Sequence, residues 1–363
     1  MNSENDIMNY IVAKDDLFLM EIKKAIDADS PIYIWGNAHG AKHVFLRAKQ
    51  NGIDVEGFVV SESYWSPDCG AGRLEVVLKE AETPVTLIVA FGGTPHKLDE
   101  YKDKIFKIVQ CDIVNGNEYI AMEQFDYEWV RENRDNLSAV YNLLSDDFSK
   151  KVFVQYLNQK ISKAYSYLQG LQGEDQYFDD EIVRFGSHEV LFDCGAYRGR
   201  TACNFIKHLE KQGIADYDKI VSFEPNEESC NILRGLGIKK HECIQKGLSD
   251  SCRIERFTHD AAASCFDMNG TFEVEITTID ETAADNPVTM ITMDIEGEEL
   301  AAINGAEKTI SMFTPKLAIC LYHKREHLWE ICNRIREINS DYRFYCRIYA
   351  YSATELVLYA IPG

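Results

Sequence analysis

The chain has 363 residues, 45% hydrophobic and 11% aromatic, enough length and apolar content for two cores rather than one. Its formal net charge of −21 argues against nucleic acid and anionic membrane surfaces as partners, because both are bound through clustered Lys and Arg that neutralise phosphates. No apolar run approaches the roughly 20 residues of a membrane span, and the opening "MNSENDIMNYIVAKDD" lacks the basic and apolar regions of a signal peptide. The eleven cysteines are scattered and form no C-x-x-C pair, which suggests neither a disulfide framework nor zinc or redox chemistry. A cytoplasmic protein is expected.

Residues 31 to 115 alternate between strand and helix: "PIYIWG" reads as a strand, "AKHVFLRAKQNG" as a helix, and "IDVEGFVVSE", "VTLIVAFGG" and "KIFKIVQCDIV" as strands. That alternation predicts a small parallel α/β domain over residues 1–120. Its first turn, Gly36-Asn-Ala-His-Gly40, joins strand to helix as dinucleotide folds do, and Glu62 lies past the second strand, where a ribose acceptor would lie. G-x-x-x-G is a weaker signal than G-x-G-x-x-G, so two readings stand: a Rossmann-like domain used for packing or specificity, and a nucleotide site.

From Asp126 to Leu171 apolar residues recur three and four apart without proline, which predicts helices and a helical connector over 121–175. The remainder, 176–363, alternates again, with strands expected at 189–193, 219–223, 241–246, 288–293 and 316–321 and helices between them. The end, "YRFYCRIYAYSATELVLYAIPG", reads as two strands joined by a short turn. Five parallel strands closed by an antiparallel pair make a seven-stranded sheet.

In an open parallel sheet, ligands sit beyond the carboxyl ends of the strands near the point where strand order reverses. There the sequence reads "EVLFDCGAYRGRT", with Asp193-x-Gly195-x-x-x-Gly199 at the turn and Ala196 and Tyr197 inside it. The glycines let the backbone bend tightly and approach a ligand. An aspartate here would repel a pyrophosphate and suits a cationic amino group, such as that of S-adenosylmethionine. "KIVSFEPN" then places Glu224 past the next strand, where a carboxylate accepts ribose hydroxyls, and Pro225 ends the strand's hydrogen bonding. The two motifs stand in order at one βαβ spacing, and the competing reading is a purely structural turn.

The fourth strand ends in Asp294-Ile-Glu296-Gly297. Alternation along an extended end puts Asp294 and Glu296 on one side, where they could orient the cofactor's amino-acid part, position a substrate hydroxyl or act as base. The other reading is that Glu296, Glu298 and Glu299 favour the N-terminus of the next helix through its dipole. His323 closes the fifth strand, placed either to accept a proton as a neutral imidazole or to serve as a capping or core residue. His327, one helical turn on, reads as structural or peripheral. A metal would need Asp294, Glu296 and His323 to converge, and none is assigned.

These residues resemble the FkbM-type S-adenosylmethionine-dependent methyltransferases. The resemblance lies in "QYFDDEIV", "VLFDCGAYRGRTACNF", "SFEPN", "GLSD", "ITTIDE", "ITMDIEGEELAAINGA", "PKLAICLYHKREHLWEI" and "ELVLYAI", in that order, across roughly residues 176 to 363. It implies a class I methyltransferase fold, a Rossmann-like seven-stranded sheet with an antiparallel last strand. It further implies cofactor contacts at Asp193, Gly195, Gly199 and Glu224, an adenine-side contact around Gly247, Leu248 and Asp250, and a transfer site along Asp294–Gly297. Tyr177 and Phe178 would cover the cofactor or belong to the core. The chain departs from the family in carrying Tyr197-Arg198 inside the turn and a long N-terminal domain; Arg198 would recognise an anionic substrate group or be solvated.

The expected function is therefore O-methylation of a hydroxyl on a small molecule or glycan precursor, with S-adenosylmethionine as cofactor and Asp294, Glu296 or His323 as base. The alternatives are a catalytically inactive cofactor-binding or sensing protein, and an NAD- or nucleotide-sugar-dependent enzyme using the N-terminal domain. Self-association into a homo-oligomer is compatible with the sequence.

Overall fold

A computed structural model of the chain describes residues 6–91, 98–110, 125–259, 264–266, 272–284, 286–350 and 354–363. The N-terminal part runs α1 (Leu17–Asp27), β1 (Ile32–Trp35), α2 (His39–Gln50), β2 (Gly57–Val60), β3 (Gly72–Arg73), α3 (Leu74–Glu80), β4 (Val85–Val89) and β5 (Ile105–Gln110). The strands form one parallel sheet in the order β3-β2-β1-β4-β5. All five residues of β4 are buried, as a strand covered on both faces requires, and this explains its unbroken apolar sequence. Glu62 opens a short 3-10 turn directly after β2, but its carboxylate pairs with Arg73 at 3.4 Å and is largely exposed.

Three helices follow: α4 (Tyr127–Glu132), α5 (Arg134–Leu143) and α6 (Asp147–Ser162). Asp146 caps α6 by accepting from the Ser149 N–H, which satisfies one of the helix's orphan donors. Inside α6 the buried Asn158 accepts from the N–H groups of Val12 at 2.8 Å and Ala13 at 2.9 Å. The segment before α1 is thereby fastened to the connector, and Ile7, Ile11 and Ala13 join the same apolar cluster as α5, α6 and the large sheet.

The C-terminal part runs β6 (Val190–Cys194), α7 (Arg200–Lys211), β7 (Lys219–Phe223), α8 (Glu227–Gly235), β8 (His241–Ile244), β9 (Gly247–Leu248), β10 (Arg253–His259), β11 (Ser264–Phe266), β12 (Phe272–Thr277), α9 (Ile279–Ala283), β13 (Met290–Met293), α10 (Glu299–Asn304), α11 (Glu307–Phe313), β14 (Lys316–Cys320), α12 (His327–Ile338), β15 (Tyr342–Ile348) and β16 (Leu356–Pro362). Seven of these strands form the large sheet in the order β15-β16-β14-β13-β6-β7-β8, and β16 runs antiparallel to both its neighbours. Strand order reverses at β6, so the carboxyl ends of β6 and β13 flank the crevice where a ligand belongs.

The expected strands fall where the sequence put them, but helices were expected throughout 246–288. Instead β9 to β12 build a second sheet of four strands, in the order β11-β10-β12-β9. The buried guanidinium of Arg347 ties β15 to the connector at Asp146 Oδ2, 3.0 Å away, and to the segment before β6 at Asp179 Oδ2, 3.2 Å away. Among the described residues no helix is long and apolar enough to cross a membrane.

Candidate active site

Asp193 lies near the end of β6, in register with Thr292 of β13. Thr292 Oγ1 donates to Asp193 Oδ1 at 3.0 Å, while Oδ2 is buried without a hydrogen-bond partner among the described residues. Burial, reinforced by Glu224 and Asp294, pushes this carboxyl up to about 7 because the charged form is desolvated among like charges.

The glycine turn after β6 is built for packing. Gly195 has φ +86°, and a Cβ there would stand 1.9 Å from the Asp294 carbonyl oxygen. The turn thus closes against the backbone at the end of β13. Gly199, at φ +84°, caps α7 and would drive a Cβ to 2.5 Å from Leu236. Here the close approach expected toward a ligand is made to the protein's own chain. Ala196 is buried, whereas Tyr197, at φ +46°, is half exposed with Arg198 over its ring.

Glu224 follows β7 and fastens this turn. Its Oε2 accepts from the Tyr197 N–H at 2.9 Å and its Oε1 from the Asn226 N–H, just past Pro225, at 2.8 Å. The group is nearly buried, and burial raises its carboxyl above the usual range despite those two bonds. Each oxygen retains a lone pair for a ligand. Gly247 and Leu248 form the short buried strand β9, and the Leu248 side chain belongs to the main core, so any contact there with a ligand is left to the backbone.

Beyond β13 the chain does not stay extended: Glu296 takes φ +58° and Gly297 φ +104°. Asp294 and Glu296 nevertheless meet at His323. Asp294 Oδ1 is 3.3 Å and Glu296 Oε2 3.5 Å from His323 Nε2. Tyr322 donates its hydroxyl to Asp294 at 2.9 Å, and Tyr177 donates to Asp294 Oδ2 at 3.2 Å. Tyr177 is therefore a support for Asp294, and Phe178 is a core residue packed with Phe205 and Phe185.

Sequence reasoning missed Glu299. It opens α10, where an acid reads as a dipole partner, yet it is fully buried. Glu299 Oε1 lies 2.8 Å from His323 Nδ1 and accepts from the Ile295 N–H at 3.0 Å, and Oε2 lies 3.2 Å from His327 Nδ1. The paired histidines hold its carboxyl well below the usual range against its burial. His327, read from the sequence as structural or peripheral, is buried here as one of those partners.

His323 corrects a second expectation. Burial opposes its charge, but Glu299, Asp294 and Glu296 outweigh that and raise the imidazole to about 9. That shift favours the protonated ring at neutral pH over the neutral form that a proton-accepting role needs.

Around this cleft Asp193, Glu224, Asp294, Glu296, Glu299 and Glu355 set a negative field. Burial and then Asp294 push the Glu355 carboxyl up, with Arg200 and His323 acting in the opposite sense. Such a field selects cationic ligands.

The seven-stranded order with one antiparallel strand, and an acid-bearing turn at the switch point, define a methyltransferase-like Rossmann fold. Residues 193–346 match the model of the Methyltransferase FkbM domain, which bears out, over that segment, the resemblance read from the sequence. The crystal structure of methyltransferase FkbM from Methylobacillus flagellatus KT superposes at a TM-score of 0.75 with 19% identity, covering 96% of this chain and 94% of that one. Its fold extends over the N-terminal sheet and connector as well. Two further likenesses span half of this chain: a fibrillarin/Nop5p complex (12% identity, 76% of that chain, TM-score 0.32) and a Streptococcus mutans protein solved in complex with SAH (12% identity, 93% of that chain, TM-score 0.31). No curated protein matches the chain.

Proposed function

We propose that the protein transfers a methyl group from S-adenosylmethionine to a hydroxyl of a small molecule or saccharide. The observation that carries this reading is Asp193: a buried carboxylate oxygen with no hydrogen-bond partner among the described residues, at the switch point of the sheet, its carboxyl raised to about 7. A buried acid left in this state is matched by a cation that pairs with it, and the cofactor's ammonium is one. The residues fit the rest of the molecule as well. Glu224 presents two oxygens with spare lone pairs past β7, where a ribose diol is bound in folds of this topology.

When bound, the cofactor supplies a methyl group activated on a sulfonium. The chain's own part is positioning, which for a well-oriented pair is worth up to roughly 7–11 kcal/mol, and management of one proton. Asp294 is held still by Tyr177 and Tyr322, and Glu296 stands beside it with a third of its side chain exposed. The acceptor's hydroxyl meets this carboxylate wall, which takes its proton. His323, already protonated, holds the two carboxylates in place from behind.

Isothermal titration of S-adenosylmethionine and S-adenosylhomocysteine tests the reading, with NAD as control. Micromolar binding that is lost in both Asp193→Ala and Glu224→Ala is the expected result. Wild-type protein that binds neither ligand, or prefers NAD, overturns it.

A further inference from the structure

The cysteines, scattered along the sequence without a C-x-x-C pair, are not all solitary in the fold. Cys230 on α8 and Cys243 on β8 come together where that helix packs on the edge strand of the large sheet. Their thiols lie within hydrogen-bonding reach of one another. Cys230 is fully buried, whereas Cys243 is partly exposed. The Cys230 thiol also donates to the Glu224 carbonyl oxygen at 3.1 Å. Its one proton thus stands between two acceptors, the Cys243 sulfur and the backbone of the acid that follows β7.

The surroundings give the two sulfurs different chemistry. The hydrogen bond from Cys230 draws Cys243 below the usual thiol range, and Arg234 acts in the same sense against burial. The Arg234 guanidinium is anchored there by donating to the Cys243 carbonyl oxygen at 3.4 Å. The same bond, together with burial, drives Cys230 up. An accessible sulfur that favours the thiolate, beside a buried protonated one, is the arrangement of a reactive cysteine and its resolving partner. By contrast, burial pushes Cys194 and Cys320 well above the usual range and Cys332 and Cys346 up to about 12, which leaves those thiols inert.

Both cysteines adjoin Glu224. Cys243 stands in register with Ser222 of β7, and the Glu224 N–H donates to the carbonyl of Ile244, the next residue after Cys243, at 3.1 Å. Asn226, which caps α8, holds Glu224 Oε1 through its N–H at 2.8 Å. Drawing Cys230 onto Cys243 therefore takes the thiol away from the Glu224 carbonyl and pulls on the helix whose cap fixes the carboxylate. We propose that Cys243 and Cys230 are a peroxide-sensitive pair that closes to a disulfide and thereby loosens Glu224. The Cys243 thiolate attacks hydrogen peroxide: an S–O bond forms, the O–O bond breaks, and the departing hydroxide takes up a proton and leaves as water. The Cys230 sulfur then attacks Cys243, so that an S–S bond forms as the S–O bond breaks and a second water leaves with the Cys230 proton. The two thiols lose two electrons, and one peroxide is reduced to two waters. The effect on the cofactor rests on the methyl-transfer reading; the thiol pair itself does not.

The test is hydrogen peroxide added to reduced full-length protein, followed by alkylation of the remaining thiols, trypsin and mass spectrometry. Trypsin cuts after Lys219, Arg234, Lys240 and Lys246, so the two cysteines fall in separate peptides, 220–234 and 241–246. A link between those peptides that dithiothreitol reverses is expected, and Cys230→Ser should leave Cys243 as a sulfenic acid that dimedone labels. A pair that stays reduced while other cysteines oxidise overturns the inference. If Cys230→Ser disturbs the far-ultraviolet dichroism, Cys243→Ser at the partly exposed position decides: Cys230 should then stay reduced, and its oxidation all the same overturns Cys243 as the attacking sulfur. S-adenosylhomocysteine is titrated in parallel into reduced and oxidised protein. Oxidation should weaken its binding about tenfold, the scale of one lost hydrogen bond, reversibly and not in Cys243→Ser; equal affinity in both states overturns the coupling to Glu224. Reduced protein that binds no S-adenosylhomocysteine sinks the methyl-transfer reading, and the peptide link then decides on the pair alone.

Discussion

The close approach of Gly195 to the end of β13 has a measurable cost when a methyl group is added. In Gly195→Ala the new Cβ starts 1.9 Å from the Asp294 carbonyl oxygen and 2.8 Å from its carbon, whereas ordinary C···O contacts begin near about 3.3 Å. The two segments must therefore separate by more than about 1 Å, across a junction where the Asp294 N–H donates to the Cys194 carbonyl at 2.9 Å. The positive φ adds about 1–2 kcal/mol for a residue with a Cβ, and overpacking adds about 1–3 kcal/mol, so a loss of roughly 2–5 kcal/mol is expected. Gly213→Ala is the control, since Gly213 has φ +76° with nothing within 4 Å of its Cβ position and carries the strain alone. Urea unfolding of the two variants and the wild type isolates the contact as the difference between them, about 1–3 kcal/mol. If the two alanine variants are equally stable within 0.5 kcal/mol, roughly the limit of additivity, the packing of this turn on Asp294 is refuted.

Four further outcomes follow from named contacts. A bound cation favours ionised Asp193, whose carboxyl titrates near 7, so S-adenosylmethionine affinity should fall by up to tenfold per pH unit below that value. Calorimetry should show this fall flattened in Asp193→Asn, and an equally steep fall in that variant would remove Asp193 as its cause. Arg347→Met breaks a buried pair at a cost of about 3–5 kcal/mol. Because Arg347 holds the Asp146 carboxyl below the usual range against its burial, that contact's contribution is complete above the ordinary carboxylate range and is lost as pH falls through the lowered value. Denaturation between pH 5 and 3 should thus be shallower in the variant than in the wild type, and parallel curves would count against the pairing. Asn158→Ala unpairs the Val12 and Ala13 N–H groups and should cost about 1–3 kcal/mol, with hydrogen exchange accelerated at both amides; unchanged protection there would rule the contact out. Tyr322→Phe should lower kcat several-fold with little change in KM if the hydroxyl positions Asp294, whereas a change confined to KM would assign it to binding.

The periodic elements were legible and the contacts that cross them were not. Strands such as "PIYIW" and "VLFDC" announce themselves by β-branched and apolar runs, and Asp193 and Glu224 by their places at consecutive strand ends. The sheet of β9 to β12 escaped because β9 has two residues and Ile254 of β10 is exposed, which leaves no clear buried face in the pattern. Glu299 escaped for a different reason: an acid in a helix's first turn has a sufficient local explanation, and only the fold brings His323 and His327, from the end of β14 and the start of α12, onto its two oxygens. Tyr177 and Tyr322 likewise become supports of Asp294 only through contacts 117 and 28 residues apart in sequence.

The same geometry explains why Asp193 and Asp294 stand together. β6 and β13 are adjacent in the sheet, and the missing Cβ of Gly195 is what lets the turn after one strand press on the carbonyl at the end of the other. Asp294 is thereby close enough to Asp193 to add to the burial that raises its carboxyl. A cation beside Asp193 would relieve the like-charge pressure on it. The turn after β6 is thus, in the fold, the joint that sets these two carboxylates side by side.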